Sequence, residues 1–116
     1  MAGAEAAGDL ITATALHGVR QTALLQSFPN PANPELWIPY ELAEEATVRI
    51  EVFNAAGQLV RTLDVGRQPR GRYVGEAAAA RWDGCDQAGV PVSSGVYVYR
   101  LTAGDYAATR RAVLLR

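Results

Sequence analysis

FPNPANPELWIPYEL, residues 28–42, decides the fold. Pro29, Pro31, Pro34 and Pro39 exclude a helix interior, because proline lacks a backbone N–H and pushes its predecessor toward extended geometry. The chain therefore enters its domain as a stiff, looping ribbon. From Trp37 the ribbon reads as a short strand, with Ile38, Tyr40 and Leu42 on one face and Trp37, Pro39 and Glu41 on the other. Pro39 cannot donate to a ladder, so the strand is expected at an edge or with one free side.

Downstream, the pattern alternates like the sheet this strand would join. Thr47–Phe53 places Val48, Ile50 and Val52 inward and Arg49 and Glu51 outward. Asn54-Ala55-Ala56-Gly57 reads as a hairpin connection, with Asn starting the turn and Gly57 taking a left-handed position. Leu59–Val65 then returns as the partner strand, with Leu59, Leu63 and Val65 facing one way. Residues 66–75 read as a long connection in which Arg67, Arg70 and Arg72 crowd together, either a solvated loop or an anion or glycan contact.

Ala77–Ala80 suits a helix by propensity, but context assigns residues 76–82 to a strand, since Trp82 needs burial and strands flank the segment. Asp83 to Gly89 is dense in turn residues. Val96 to Ala103 alternates again, with Tyr97, Tyr99 and Leu101 on one face. After a tight turn at Gly104-Asp105, Tyr106 to Leu115 reads as the closing strand. Short strands separated by turn signals predict an all-β antiparallel sandwich over residues 24–116, of about seven strands.

Upstream, residues 1–23 are rich in Ala, Gly and Thr and read as a linker, partly disordered or with a short helix. At 116 residues the chain fits one domain, and its net charge of -1 argues against a nucleic-acid role based on bulk charge. No apolar run reaches the length of a membrane span, and no signal peptide is evident at the start.

Catalytic chemistry finds no support. The single His17 falls in the linker, away from Ser27, Ser93 and Ser94, so a nucleophile–base pair cannot be assembled. Cys85 stands alone between Asp83 and Asp86, whose charges disfavour a thiolate and leave no disulfide partner. Asp83 and Asp86 with loop carbonyls resemble a Ca2+ seat in ligand type, yet the spacing does not match an EF-hand, and turn capping explains them. No cofactor or metal is expected. Trp37, Tyr73, Tyr99 and Tyr106 are candidates for a sugar-stacking platform or, alternatively, ordinary core and edge packing.

PNPANP leading into WIPYEL, then TVRIEVFNAAGQLVRTL, then WDGCDQAGVPVSSGVYVYRL, resembles one particular group. It is the immunoglobulin-like β-sandwich family that includes the C-terminal domain of the flagellar hook-capping protein and the C-terminal sorting domains of type IX secretion. The resemblance spans roughly Leu24 to Arg116 and implies an immunoglobulin-like or fibronectin-III-like fold. Its structural signature falls on Pro29, Asn30, Pro31, Asn33, Pro34, Gly57, Trp82, Asp83, Gly84, Gly95 and Tyr97. The Asn side chains are expected to cap the entry loop, Trp82 to plug one end of the sandwich, Asp83 to tie down the next turn, and Gly95 to free the backbone so that Tyr97 enters the core. Ala32 stands where the family usually has an aromatic residue.

In the sorting domains a last strand that is basic and then apolar is read by the outer-membrane translocon. Arg110, Arg111, Val113, Leu114, Leu115 and Arg116, at the C-terminal end, match that pattern and are the implied partner-recognition residues. The resemblance thus implies a non-catalytic C-terminal module of a larger exported bacterial protein, secreted or at the cell surface after passage through the periplasm. Its partners would be a translocon or cell-surface protein and an upstream cargo domain in the same polypeptide, with no nucleic acid and no membrane span. Alternatives are an assembly module like the hook-capping relative, or a carbohydrate-binding or adhesion module.

Overall fold

The computed structural model describes residues 19–116, so His17 and most of the expected linker lie outside the described residues. Nine strand segments follow in order: β1 (Ala23–Leu24), β2 (Leu36–Ile38), β3 (Tyr40–Leu42), β4 (Ala46–Asn54), β5 (Leu59–Gln68), β6 (Gly71–Tyr73), β7 (Ala80–Trp82), β8 (Gly95–Ala103) and β9 (Tyr106–Leu114). No helix occurs among the described residues.

One layer is a four-stranded antiparallel sheet in the order β5-β4-β8-β9. The other consists of β1-β3-β6 and β2-β7, also antiparallel. These two pieces are halves of one ribbon, because β2 and β3 are a single extended segment interrupted at Pro39. Seven strand positions therefore carry the nine segments.

Pro39 does not put this strand at an edge, contrary to the expectation above. Leu36–Leu42 lies in the middle of its layer. On one side the Leu25 N–H donates to the Pro39 carbonyl at 3.0 Å and Phe28 bridges Trp37, while β6 and β7 flank the other side. A proline removes one donor, and here the sheet loses its ladder at that one residue and resumes beyond it.

Two further boundaries differ from expectation. Residues 66–75 are not one long loop: β5 continues to Gln68, and β6 returns at Gly71. The charged residues there sit at cross-strand positions, with Arg72 opposite Glu41 in register and within a 2.9 Å ion pair. Glu76 to Ala78 form a turn, and only Ala80–Trp82 is strand.

The core fills the space between the layers. Leu24, Leu36, Ile38, Tyr40, Leu42 and Trp82 face Val48, Ile50, Val52, Tyr99, Leu101 and Leu114, all at most 3% exposed. Burying each such side chain contributes about 1.5–3 kcal/mol. The inward sets of β4 and β8 are those that the alternation predicts. The Asn54–Gly57 hairpin also forms as expected: Gly57 has φ +83°, and Asn54 Oδ1 accepts from the N–H groups of Ala56 and Gln58. Packing against the domain already includes Val19, which is buried and whose carbonyl accepts from Arg70, and Thr22, whose hydroxyl accepts from the Ala43 N–H.

Candidate functional site: the last strand and the loop it closes

The loop from Trp82 to Val92 is built around one buried indole and two guanidinium groups. Trp82 is 1% exposed, stacks edge-on against Tyr97 at 5.3 Å between ring centres, and donates from Nε1 to the Cys85 carbonyl at 2.8 Å. Asp83 Oδ1 accepts from the Cys85 N–H at 3.0 Å, and Asp86 Oδ1 accepts from the N–H groups of Ala88 and Val90. Both carboxylates therefore cap turns.

Arg61 reaches into this loop from β5. Its Nη1 lies 3.1 Å from Asp83 Oδ1, 3.3 Å from the Cys85 carbonyl and 3.4 Å from the Asp86 carbonyl. The oxygens that suggested a Ca2+ seat thus face a cation that the chain itself supplies. Burial alone would raise the Asp83 pKa, but the Cys85 N–H and the Arg61 charge outweigh it and hold the carboxyl below its ordinary range. Arg61 was not singled out from the sequence, where it sits in the mixed run Leu59–Val65 beside Thr62 and Asp64 with nothing to set it apart.

The second guanidinium belongs to Arg116. Its Nη2 donates to the Gly84 carbonyl and its Nε to the Val92 carbonyl, while its N–H donates to Ser94 Oγ at 2.9 Å. Gly84 is buried with φ +76°, and a Cβ there would stand 2.9 Å from Arg116 Nη2 and 3.2 Å from both Cβ and O of Pro34. Glycine is therefore required where the entry loop, the Trp82 loop and the last residue converge.

The entry loop is pinned by its backbone. Ala32, 1% exposed, donates to the Val113 carbonyl and accepts from the Leu115 N–H, both at 2.8 Å, in a parallel bridge to β9. The side chains of Asn30 and Asn33 make no hydrogen bond to described residues, so they do not cap the loop as expected. Pro29, Asn30, Pro31 and Asn33 are exposed, and Pro34 packs against Gly84. Tyr97 is buried and donates to the Ser93 carbonyl at 2.7 Å, two residues before the extended Gly95 that opens β8.

The implied recognition residues divide into two groups. Leu114 is buried in the core and Arg116 clamps the Trp82 loop, so both hold the fold together. Arg110 donates from Nε to the Leu24 carbonyl at 2.8 Å. Arg111 and Leu115 are exposed, Val113 is half-buried, and these three are available to a partner.

The other candidates do not converge. Tyr99 is 1% exposed, with its hydroxyl donating to the Leu25 carbonyl and accepting from the Ser27 N–H. Tyr73 stacks on buried Tyr40 at 4.8 Å, Trp37 stacks on Phe28 at 6.1 Å, and the Tyr106 hydroxyl accepts from the Leu24 N–H. These aromatic groups pack separately and form no common sugar platform. Arg67 pairs with Glu45, Arg72 with Glu41, and Arg70 with the Val19 carbonyl, so the three arginines do not gather around an anion. Among the described residues, no cluster of three His, Cys, Asp or Glu side chains suits a metal.

The fold and this closing site define an immunoglobulin-like β-sandwich whose entry loop and last strand lock one another. The model of the FlgD Ig-like domain family matches residues 36–106, more than half of the chain, and the chain belongs to that family. None of the curated proteins matches the sequence. Among solved structures, the fold is similar to part of dimeric latent PorU from Porphyromonas gingivalis, at 20% identity and TM-score 0.66, covering 85% of this chain and 10% of that one. It is also similar to part of PorZ, an essential surface component of the type IX secretion system of the same organism, at 18% identity and TM-score 0.52, covering 90% of this chain and 12% of that one. The chain thus spans about a tenth of the length of the structures it resembles.

Proposed function

We propose that this domain is a non-catalytic sorting module of a larger exported bacterial protein, recognised by a type IX-like outer-membrane translocon. The observation that carries the reading is the likeness in fold over 85–90% of this chain to a small part of two much longer proteins, one of them a type IX surface component. The basic and apolar side chains that β9 leaves outward, Arg111, Val113 and Leu115, support it as the surface a translocon reads.

The test fuses residues 19–116 behind a signal peptide and a fluorescent reporter, in a host with a type IX system. Deleting residues 110–116 is a poor probe, because it takes Ala112 and Leu114 from the core and the Arg116 clamp from the loop. Arg111→Glu and Leu115→Asp change exposed positions instead. The expected result is reporter outside the cell, retained by the two substitutions and by disabling the system. Reporter held in the periplasm with the unaltered domain folded overturns the proposal. It favours the second reading, an assembly module, which the match to the FlgD Ig-like family supports.

A further inference from the structure

We propose that the first half of the outer edge of β9, Ala107 to Arg111, is a strand-addition site for an extended acidic segment of a partner chain. The proposal stands on the edge geometry and holds whatever larger protein carries the domain.

Strand parity identifies the open groups. Ala103 and Tyr106 face each other across the two-residue Gly104-Asp105 turn, so Tyr106 directs its backbone groups toward β8 and Ala107, Thr109 and Arg111 direct theirs away. The same parity continues to Val113 and Leu115, and there the Val113 carbonyl and the Leu115 N–H are occupied by Ala32. The Arg111 carbonyl accepts from Gln26 Nε2 at 3.0 Å. The backbone groups of Ala107 and Thr109 and the N–H of Arg111 make no hydrogen bond to described residues, and all three residues are exposed. The entry loop therefore seals the end of this edge and leaves about 17 Å of it unpaired, the length of a five-residue strand.

The opposite edge of the same sheet is guarded. Gln87 donates its N–H to the Val60 carbonyl and accepts from the Thr62 N–H through Oε1, imitating a neighbouring strand. Register breaks leave Val60 and Val65 as extra residues in β5, which twist that edge away from regular pairing. Along Ala107 to Arg111 the edge carries, among the described residues, only the bond from Gln26 Nε2 to the Arg111 carbonyl, at its far end.

Charge selects the occupant. Arg110 and Arg111 lie on the open edge, and Arg100 is the register partner of Thr109. None of the three forms a salt bridge among the described residues, whereas Arg49, Arg61, Arg67, Arg72 and Arg81 all do. Two acids lie near: Glu51 faces Arg100 from the β4 side, and Asp105 sits in the turn. Arg110 is held by the Leu24 carbonyl on the opposite face, so an incoming strand with carboxylates on alternate residues would pair with the guanidinium groups of Arg100 and Arg111, while backbone bonds to Thr109 and its neighbours supply the adhesion. Two copies of this basic edge would repel one another, which disfavours self-pairing.

The experiment titrates the full chain with a capped seven-residue peptide alternating Glu and Val, and with a Lys–Val control of equal strand propensity, followed by amide NMR shifts and hydrogen exchange. The Glu peptide should shift and protect the amides of Ala107, Thr109 and Arg111 and bind at least about tenfold more tightly than the control, about 1.4 kcal/mol. Thr109→Pro removes an outward N–H and no bond to β8, so it should abolish binding while the β8–β9 cross-strand contacts persist. Arg111→Glu, which leaves the backbone intact, should weaken the Glu peptide and strengthen the Lys peptide. Equal binding of both peptides, protection elsewhere on the domain, binding unaffected by Thr109→Pro, or no binding by about 1 mM overturns the proposal.

Discussion

Gly84 offers a sharp test of the closing site, because a second glycine supplies its control. Gly84 and Gly89 both have left-handed backbones, φ +76° and +85°, but a Cβ at Gly89 would meet nothing within 4 Å. Gly89→Ala therefore isolates the backbone term, about 1 kcal/mol after the reduced freedom of the unfolded chain is credited. Gly84→Ala carries the same term and two more. Crowding against Pro34 at 3.2 Å adds about 1–2 kcal/mol of overpacking, and Arg116 must withdraw from the Gly84 carbonyl, forfeiting about 1 kcal/mol. The expected totals are about 3–4 kcal/mol for Gly84→Ala and about 1 for Gly89→Ala. Urea unfolding at neutral pH reads the difference as a gap of about 2–3 M between midpoints, for a slope of about 1 kcal/mol per M. Arg116→Ala combined with Gly84→Ala should be less than additive, since one contact is lost in both. If the two alanine variants fall within about 0.5 kcal/mol of each other, the convergence of Pro34, Gly84 and Arg116 is refuted.

Two further outcomes depend on pH. Burial, assisted by the neighbouring Tyr73 hydroxyl, pushes the Tyr40 pKa up to about 12. Unfolded Tyr40 ionises first, near 10, and so binds fewer protons than the native state. Stability should hold below about pH 10 and fall by about 2–3 kcal/mol between about pH 10 and 12. Tyr40→Phe should remove that decline in alkaline urea titrations, and an unchanged decline would sink the assignment. Asp83 has the opposite sign: its lowered pKa contributes stability above the ordinary carboxylate range that is lost as pH falls through the native value. Arg61→Leu should destabilise the domain at pH 7 and reduce its acid sensitivity, whereas an acid limb parallel to that of the unaltered chain would show that Arg61 does not set the Asp83 charge.

The long strands were legible because period-2 alternation survives in them: Val48, Ile50 and Val52 in β4, and Tyr97, Tyr99 and Leu101 in β8, are the inward sets. Errors arose where one residue type carries two meanings. Pro39 signals an edge by its missing donor, yet neighbouring strands bond around it, which only the third dimension reveals. Arg67 and Arg72 looked like loop residues because their partners, Glu45 and Glu41, lie 22 and 31 residues away in sequence. The partners of Trp82 and Gly84, namely Tyr97 and Arg116, come from β8 and from the residues after β9, so they lie 15 and 32 positions further along the chain. The caps expected from Asn30 and Asn33 failed because a polar side chain beside a proline turn has water as an equal partner, whereas the Ala32 backbone is buried and must be paired.

The bridge from Ala32 to Leu114 also governs when the domain can exist. The bonds that tie the start of the sandwich to its last strand join residues 82, 85 and 86 positions apart. Such contacts become favourable only after nearly all the intervening chain has been ordered, which places this topology among the slow folders. During synthesis, or threading through any pore in the N-to-C direction, Leu24, Ala32 and Leu36 wait without their closing strand until residue 114 emerges. The chain therefore has a built-in delay. It remains open, and readable as an extended polymer, until β9 arrives and completes the sandwich.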